Sequence, residues 1–315
     1  MSRIVVTGGA GFIGSHLCEA LLARGHEVVA LDNLDDFYDP AVKRANLAQA
    51  LSSERFTFVE GDIRDREAVE RVLSGNVEAV VHLAARAGVR PSIADPVLYE
   101  QVNVHGTTVL LEACRRRGVR RFVFGSSSSV YGNNRKVPFS ESDPVDRPIS
   151  PYAATKRAGE LLCHTYDHLF GMDVTCVRLF TVYGPRQRPD LAIHKFARLM
   201  EAGRPVPVFG DGSMRRDFTY IADIVDGLCR ALERCAGYHQ YNLGESQPVS
   251  VMELVAGLEK ALGRKAVIEH HPQPPGDVDQ TYADVTLARR ELGYEPKTDL
   301  ADGLARFVAW LRSQA

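Results

Sequence analysis

Short apolar runs alternate with amphipathic stretches along the first two thirds of the chain. Ile4 to Thr7, "HEVVALDN", "RFTFVEGDI", "VEAVVHLAA", "RRFVFGSS" and "MDVTCVRLF" have the length and the β-branched and aromatic content of buried strands. Between them lie stretches with helical spacing: Phe12, Ile13, Leu17, Leu21 and Leu22, then a helix from about Arg66, a long helix from about Val97 to Arg117, and another from about Pro151. Strand and helix in alternation predict a parallel α/β sheet with helices on both faces. In such sheets ligands collect at the carboxyl ends of the strands. Asp62 and Ile63, Leu83 to Arg86, and Ser126 to Ser129 all fall at such ends.

The first turn carries the sharpest signal. In "RIVVTGGAGFIGSHLCEALLARGHEVVALDN" a strand runs into Gly8, Gly11 and Gly14 and then into a helix. One glycine makes the tight turn, one lets the backbone approach a pyrophosphate, and one lets the helix pack on the sheet. N–H groups at the helix start hold the phosphate. Asp32 ends the second strand, where an acid accepts hydrogen bonds from a ribose diol and repels a 2′-phosphate, so the expected cofactor is NAD rather than NADP.

Composition adds limits. The 315 residues exceed a comfortable single core, which predicts a large domain with a smaller companion. A formal net charge of -2 gives no electrostatic reason to expect nucleic acid or an acidic membrane as partner. The basic run "RRRGVRR" from Arg115 to Arg121 reads as a solvated helix end. Six cysteines without a CxxC pair argue against zinc and against a disulfide framework, and His270 and His271 have no further ligand at metal spacing, so no metal is expected. No run approaches the roughly 18 apolar residues of a membrane span. The first strand begins at about residue 3, leaving no room for a signal peptide, so the cytoplasm is the expected compartment.

The fifth strand ends in "FGSSSSVY", and "SPYAATKRAGE" follows. Tyr152 and Lys156 are one helical turn apart and share a face. A tyrosine with a pKa of about 10 needs roughly 4 kcal/mol of differential stabilisation to ionise near pH 7. Burial opposes this, so the lysine and a positively charged nicotinamide are expected to dominate. With a serine hydroxyl on the same substrate oxygen, this is acid–base equipment for moving a hydride from a secondary alcohol to NAD.

"TGGAGFIG", "HLAA", "SSSSVYG" and "YAATK" together resemble the extended short-chain dehydrogenase/reductase family over essentially the whole chain. The resemblance implies a Rossmann-type doubly wound parallel sheet with a smaller C-terminal α/β substrate-binding domain. It implies Ser127, Tyr152 and Lys156 as catalytic residues, and Gly8, Gly11, Phe12, Ile13, Gly14, Asp32, Asn33, Asp62, Ile63, Leu83, Ala84, Ala85, Asn103, Tyr152 and Lys156 around NAD. It further implies a nucleotide-sugar substrate and a homodimer formed by the helices at about 97 to 117 and 151 to 170. The expected division is 1-180 plus 218-243 for the NAD-binding domain and 181-217 plus 244-315 for the sugar-nucleotide domain.

In this family Tyr152 would take the proton of the sugar 4-hydroxyl as C4 gives hydride to NAD, and members differ in the fate of the 4-keto sugar. A 4,6-dehydratase resembles this chain but carries an Asp-Glu pair where Ser128 and Ser129 stand, and a serine cannot protonate a leaving hydroxyl at neutral pH. Decarboxylating relatives usually show a glutamate there. Epimerisation remains, with the hydride returned to the opposite face.

"LDNLDDFYDPAVKRANLAQAL", "NRKVPFSESD", "RLFTVYGPRQRPDLAIHKF", "MRRDFTYIADIVDG" and "PPGDVDQTYADVTLARRELGYEPKTDL" are similar to the UDP-glucuronate 4-epimerase subgroup. That resemblance implies Arg216 and Asp277 near the diphosphate and uridine ribose, Val208 and Phe209 beside the base, and Thr181 and Arg188 by the sugar's C5 substituent. The chemistry gives a reason. Oxidising C4 of glucuronate makes a β-keto acid that loses carbon dioxide when the C5–C6 bond aligns with the ketone, so an epimerase must hold the carboxylate out of alignment. The guanidinium of Arg188, with hydroxyls of Ser128, Ser129 and Thr181, is expected to do so. Two departures, Arg86 where the subgroup commonly has glutamine and "RQRPD" without a tryptophan-glycine pair, keep UDP-glucose and UDP-galactose open as substrates. Arg86 has two readings, contact with a phosphate or a solvent-facing position. A non-catalytic NAD-binding sensor is the competing class, but such proteins typically lack the tyrosine or the lysine.

Overall fold

The computed structural model describes residues 2–272 and 278–314. Six apolar runs of the N-terminal part form β1 (Arg3–Thr7), β2 (Glu27–Asp32), β3 (Phe56–Glu60), β4 (Val77–His82), β5 (Arg121–Ser127) and β6 (Asp173–Leu179). The chain then leaves this sheet for β7 (Thr181–Tyr183), β8 (Val206–Phe209) and β9 (Arg215–Tyr220), and returns through the helix Ile221–Glu233 to β10 (Tyr238–Leu243). The large sheet has the order β10-β6-β5-β4-β1-β2-β3, and all its pairs are parallel. β11 (Pro248–Ser250) and β12 (Ile268–His271) follow; β11, β9 and β7 form a three-stranded sheet, and β12 pairs with β8.

Strand residues sort by parity onto two buried faces. Val5, Val29, Leu31, Val80, Phe122, Phe124, Val174 and Cys176 join one cluster; Ile4, Val6, Val28, Ala30, Ala79, Val81, Val123 and Val177 join the other. This is why the strands read as almost continuously apolar. The second cluster runs on through Leu254 and Leu258 of the helix Val251–Leu262 and Leu304 and Phe307 of the helix Leu300–Ser313, so one hydrophobic core holds this C-terminal part, the small lobe, to one face of the sheet.

One expected helix differs. The stretch from about Val97 to Arg117 is two α-helices, Pro96–Glu100 and Gly106–Arg117, separated by a π-helical turn at Gln101–His105. The wide turn leaves carbonyls short of partners, and the hydroxyls of Thr107 and Thr108 donate to Asn103 O at 2.6 Å and Val104 O at 2.9 Å. The basic run beyond it is largely paired: Arg115 with Glu112, Arg116 and Arg117 with Glu70, and Arg121 with Glu78, while Arg120 donates to the Gly171 carbonyl. The helix Pro151–Phe170 starts with Ser150 capping the Ala153 N–H and ends at Gly171 in the left-handed region.

Candidate active site

A cleft of about 400 Å³ opens at the carboxyl ends of β1, β2, β4 and β5. Gly8, Gly11, Phe12, Ile13, Gly14, Asp32, Asn33, Asp62, Ile63, Leu83, Ala84 and Ala85 all line it. Gly8 has φ +72°, and a Cβ there would stand 2.8 Å from the Ala84 nitrogen; at Gly14 a Cβ would stand 2.1 Å from the Gly8 carbonyl oxygen. The loop is thus closed on its inner side to any side chain. At Gly11 an added Cβ meets only that same oxygen, at 3.1 Å, among the described residues. The helix Phe12–Ala23 has no side-chain cap, which leaves its first N–H groups available to a diphosphate. This end of the cleft therefore fits a dinucleotide. Asp32 holds the loop in place by accepting from the N–H groups of Ala10 (3.1 Å) and Leu34 (2.9 Å). Burial pushes its carboxyl up, against these bonds and the charge of Lys43. Asp62 accepts from Asn33 and from Nε and Nη2 of Arg64; burial opposes ionisation of Asp62, but Arg64 wins and the Asp62 pKa is lowered.

The four consecutive serines divide three tasks. Ser126 Oγ donates to Glu160 at 2.6 Å, beneath the site. Ser127 Oγ accepts the Ser129 N–H and donates to Ser129 Oγ, fixing the 3-10 turn Ser128–Tyr131. Ser128 and Ser129 line both the main cleft and a side cavity of about 160 Å³. Tyr152 and Lys156 reach the same cleft from the helix Pro151–Phe170. Lys156 Nζ donates to the Gly125 carbonyl at 2.7 Å, and burial lowers its pKa to about 8. For Tyr152 burial dominates and raises the pKa; the Ser127 hydrogen bond and the charge of Arg188 act in the opposite sense. The expectation that nearby cations outweigh burial is therefore not met by the chain's own groups.

Thr181 and Arg188 line the cleft at its other end. Arg188 is held by Asp190, Nε to Oδ1 at 3.0 Å and Nη2 to Oδ2 at 2.7 Å, and its guanidinium lies 4.9 Å from the centre of the Phe37 ring. Thr181 also borders the side cavity, together with Arg216, Val89, Ile149, Val278 and Thr281. Val208 is fully buried, and Phe209 carries the Arg90 guanidinium 4.6 Å over its ring; neither lines the two cavities. Asp277 lies outside the described residues. Asn103 sits behind the cleft wall rather than in it. Its side chain accepts from the Arg86 N–H (2.8 Å) and donates to the Arg86 carbonyl (3.0 Å) and to Thr155 Oγ1 (3.0 Å).

Several residues here carry no motif of their own. Asp35, Phe37 and Tyr38 line the cleft from the loop after β2 and Lys43 from the helix Pro40–Asn46 that follows it; they lie in the quoted stretch "LDNLDDFYDPAVKRANLAQAL", whose resemblance assigned them no role. Thr7, His82 and Thr107 form a buried chain, Thr7 Oγ1 to His82 Nδ1 at 2.6 Å and His82 Nε2 to Thr107 Oγ1 at 3.0 Å. Because the Thr107 hydroxyl proton goes to Asn103 O, its oxygen accepts, which assigns the His82 proton to Nε2. Burial holds His82 down to about 3, so it stays neutral. Beneath the serines, Arg178 meets Glu160 through two bonds of 2.8 and 3.0 Å; the pair is 1% and 0% exposed, dry enough that neither partner tolerates loss of the other.

These features define a dinucleotide-dependent α/β enzyme with a tyrosine–lysine pair lining its cofactor cleft. Residues 4–244 match the NAD dependent epimerase/dehydratase family, and the chain belongs to that family. It is 43% identical to UDP-glucuronate 4-epimerase of Thermodesulfobacterium geofontis, over 98% of this chain and 96% of that protein. The UDP-glucuronic acid 4-epimerase from Bacillus cereus, solved in complex with UDP-glucuronic acid and NAD, superposes with a TM-score of 0.94 at 37% identity, covering 99% of this chain and 100% of that one. A UDP-glucose 4-epimerase from Thermotoga maritima, solved with UDP-glucose, gives 0.92 at 35% identity, covering 99% of each chain.

Proposed function

We propose that the protein is an isomerase that inverts C4 of UDP-glucuronate to give UDP-galacturonate, with NAD restored in each turnover. The observation that carries this reading is the company Tyr152 keeps: a serine turn without any carboxylate on one side and the Arg188 guanidinium, acting on it electrostatically, on the other. When bound, NAD supplies a hydride acceptor and the positive charge that opposes burial of the phenolate. The glycine loop, Asp32, Asn33 and Asp62 would hold it. Tyr152 would remove the proton of the 4-hydroxyl and later return it; Ser127 would hydrogen-bond the same oxygen, and Lys156, anchored on the Gly125 carbonyl, would keep a cation beside the phenolate. Arg188 with Ser128, Ser129 and Thr181 would hold the carboxylate away from alignment with the ketone. The side cavity, which shares Ser128, Ser129 and Thr181 with the main cleft, suits the UDP moiety, with Arg216 as its cation.

The sequence division into 1-180 plus 218-243 and 181-217 plus 244-315 fits this arrangement, a cofactor lobe and a sugar-nucleotide lobe meeting at Tyr152. A homodimer is also part of the proposal. Val97, Leu161, Leu169 and Phe170, on the helices at 96–100 and 151–170, are 63%, 52%, 61% and 47% exposed, which supports a partner helix pair over them. Six unpaired, buried cysteines support a reducing compartment. No helix among the described residues is long and apolar enough to cross a membrane.

A second reading, inversion of an uncharged UDP-hexose, has one observation in its favour: Arg188 already gives two donors to Asp190. Incubating the protein separately with UDP-glucuronate and UDP-glucose and following the products by NMR decides between them. UDP-galacturonate from the first is the expected result. UDP-galactose alone would establish the second reading, and a pentose or a 4-keto-6-deoxy sugar would replace inversion by decarboxylation or dehydration.

A further inference from the structure

The order β4-β1-β2 places the loops after β2 and β4 on either side of the glycine loop. Arg86, from the β4 loop, reaches across to the β2 loop. Its Nη1 pairs with Asp35 Oδ1, and its guanidinium lies 4.9 Å from the centre of the Phe37 ring. Both ends of this span are anchored. The Arg86 backbone is gripped at N–H and carbonyl by Asn103. Asp35 accepts the Phe37 N–H on its carboxylate at 2.9 Å, and its carbonyl accepts from Lys43 Nζ at 2.7 Å. Arg188, from the small lobe, stands against the same Phe37 ring. Asp35, Phe37, Arg86 and Arg188 all line the cleft.

We propose that the Arg86–Asp35 pair is a fastener that closes the β2 and β4 loops over the glycine loop and retains the dinucleotide. The two side chains are 19% and 29% exposed, so solvent screens their attraction only in part, and the contact with Phe37 adds to it. A cofactor lying on the glycine loop leaves only when this span opens. Arg86 thus has a role that neither sequence expectation for it contained: it is a positioning residue, acting on the cofactor through the loop it holds. The use of slow release to an enzyme that reduces and reoxidises its cofactor within one turnover rests on the epimerase reading; the release rate itself does not.

The test is the rate at which NAD-loaded protein loses its cofactor in the absence of any sugar, after dilution into excess ADP-ribose. Arg86→Gln and Asp35→Asn should each speed release by about tenfold, and the double variant should be no faster than either single one. Melting temperatures within about 2 °C of the parent confirm that the fold is kept. Release from Arg86→Gln at the parent rate overturns the proposal. So does fast release from Arg86→Gln with unchanged release from Asp35→Asn, which would mean that the arginine holds a phosphate directly. If UDP-glucuronate is not turned over but release responds as expected, the functional reading fails and the fastener stands.

Discussion

The two ends of the cleft are built from different material. The cofactor end is backbone: glycines packed so closely that one Cβ at Gly14 would stand 2.1 Å from a carbonyl oxygen, with Asp32 tying loop amides in place. The end proposed for the sugar is side chain: Ser128 and Ser129 come from one turn, Thr181 and Arg188 from the segment after β6, and Arg188 is set by Phe37 and Asp190. A backbone cradle admits almost no substitution, because every change of volume moves the loop itself. A side-chain wall can be altered residue by residue with the fold intact. The solved relatives agree, since chains of 37% and 35% identity keep the same fold around UDP-glucuronic acid and UDP-glucose.

Three measurements test that contrast, and a fourth bears on stability alone. Tyr152→Phe, where the two ends meet, should lower kcat at least about a thousandfold with no loss of NAD binding, because only the ionisable oxygen goes. Gly14→Ala should weaken NAD binding by roughly a hundredfold in a titration, and an unchanged affinity would end the claim that the cradle is intolerant. Arg188→Ala should raise KM for UDP-glucuronate by roughly tenfold or more and let a pentose appear in the product NMR spectrum, with NAD affinity unaltered. Unchanged turnover and product partition would remove Arg188 from the site.

The smallest effect concerns pH. Burial, then the charges of Asp223, Asp217 and Asp299, raise Glu245 to about 8. With its folded pKa above the unfolded value, its contribution to stability is complete below the ordinary carboxylate range and is lost as pH rises through about 8. Glu245→Gln, which cannot ionise, should therefore raise the melting temperature by about 2 °C at pH 8.5 and by less at pH 5. An equal gain at both values would place the effect in packing rather than charge.

Much of the cofactor end was readable because its signals are local. The Gly8–Gly11–Gly14 spacing, an acid at the end of the next strand and a tyrosine and lysine one turn apart each require only a short window of chain. The π-turn at Gln101–His105 escaped the helical periodicity because Asn103 is turned inward by its bonds to Arg86, contacts made outside its own helix. Nothing in the sequence pairs Glu160 with Arg178, Asp35 with Arg86, or Thr7 with His82 and Thr107.

The sequence by itself determined the strands, the helix faces and the cofactor turn, since hydrophobic periodicity and glycine placement act between near neighbours in the chain. Only the tertiary structure decided the ionisation of Tyr152, the partners of Arg188 and Arg86, and the meeting of the two cavities at Ser128 and Ser129. Those properties depend on desolvation and on charges brought close by folding, and neither has a value until distant segments are packed together.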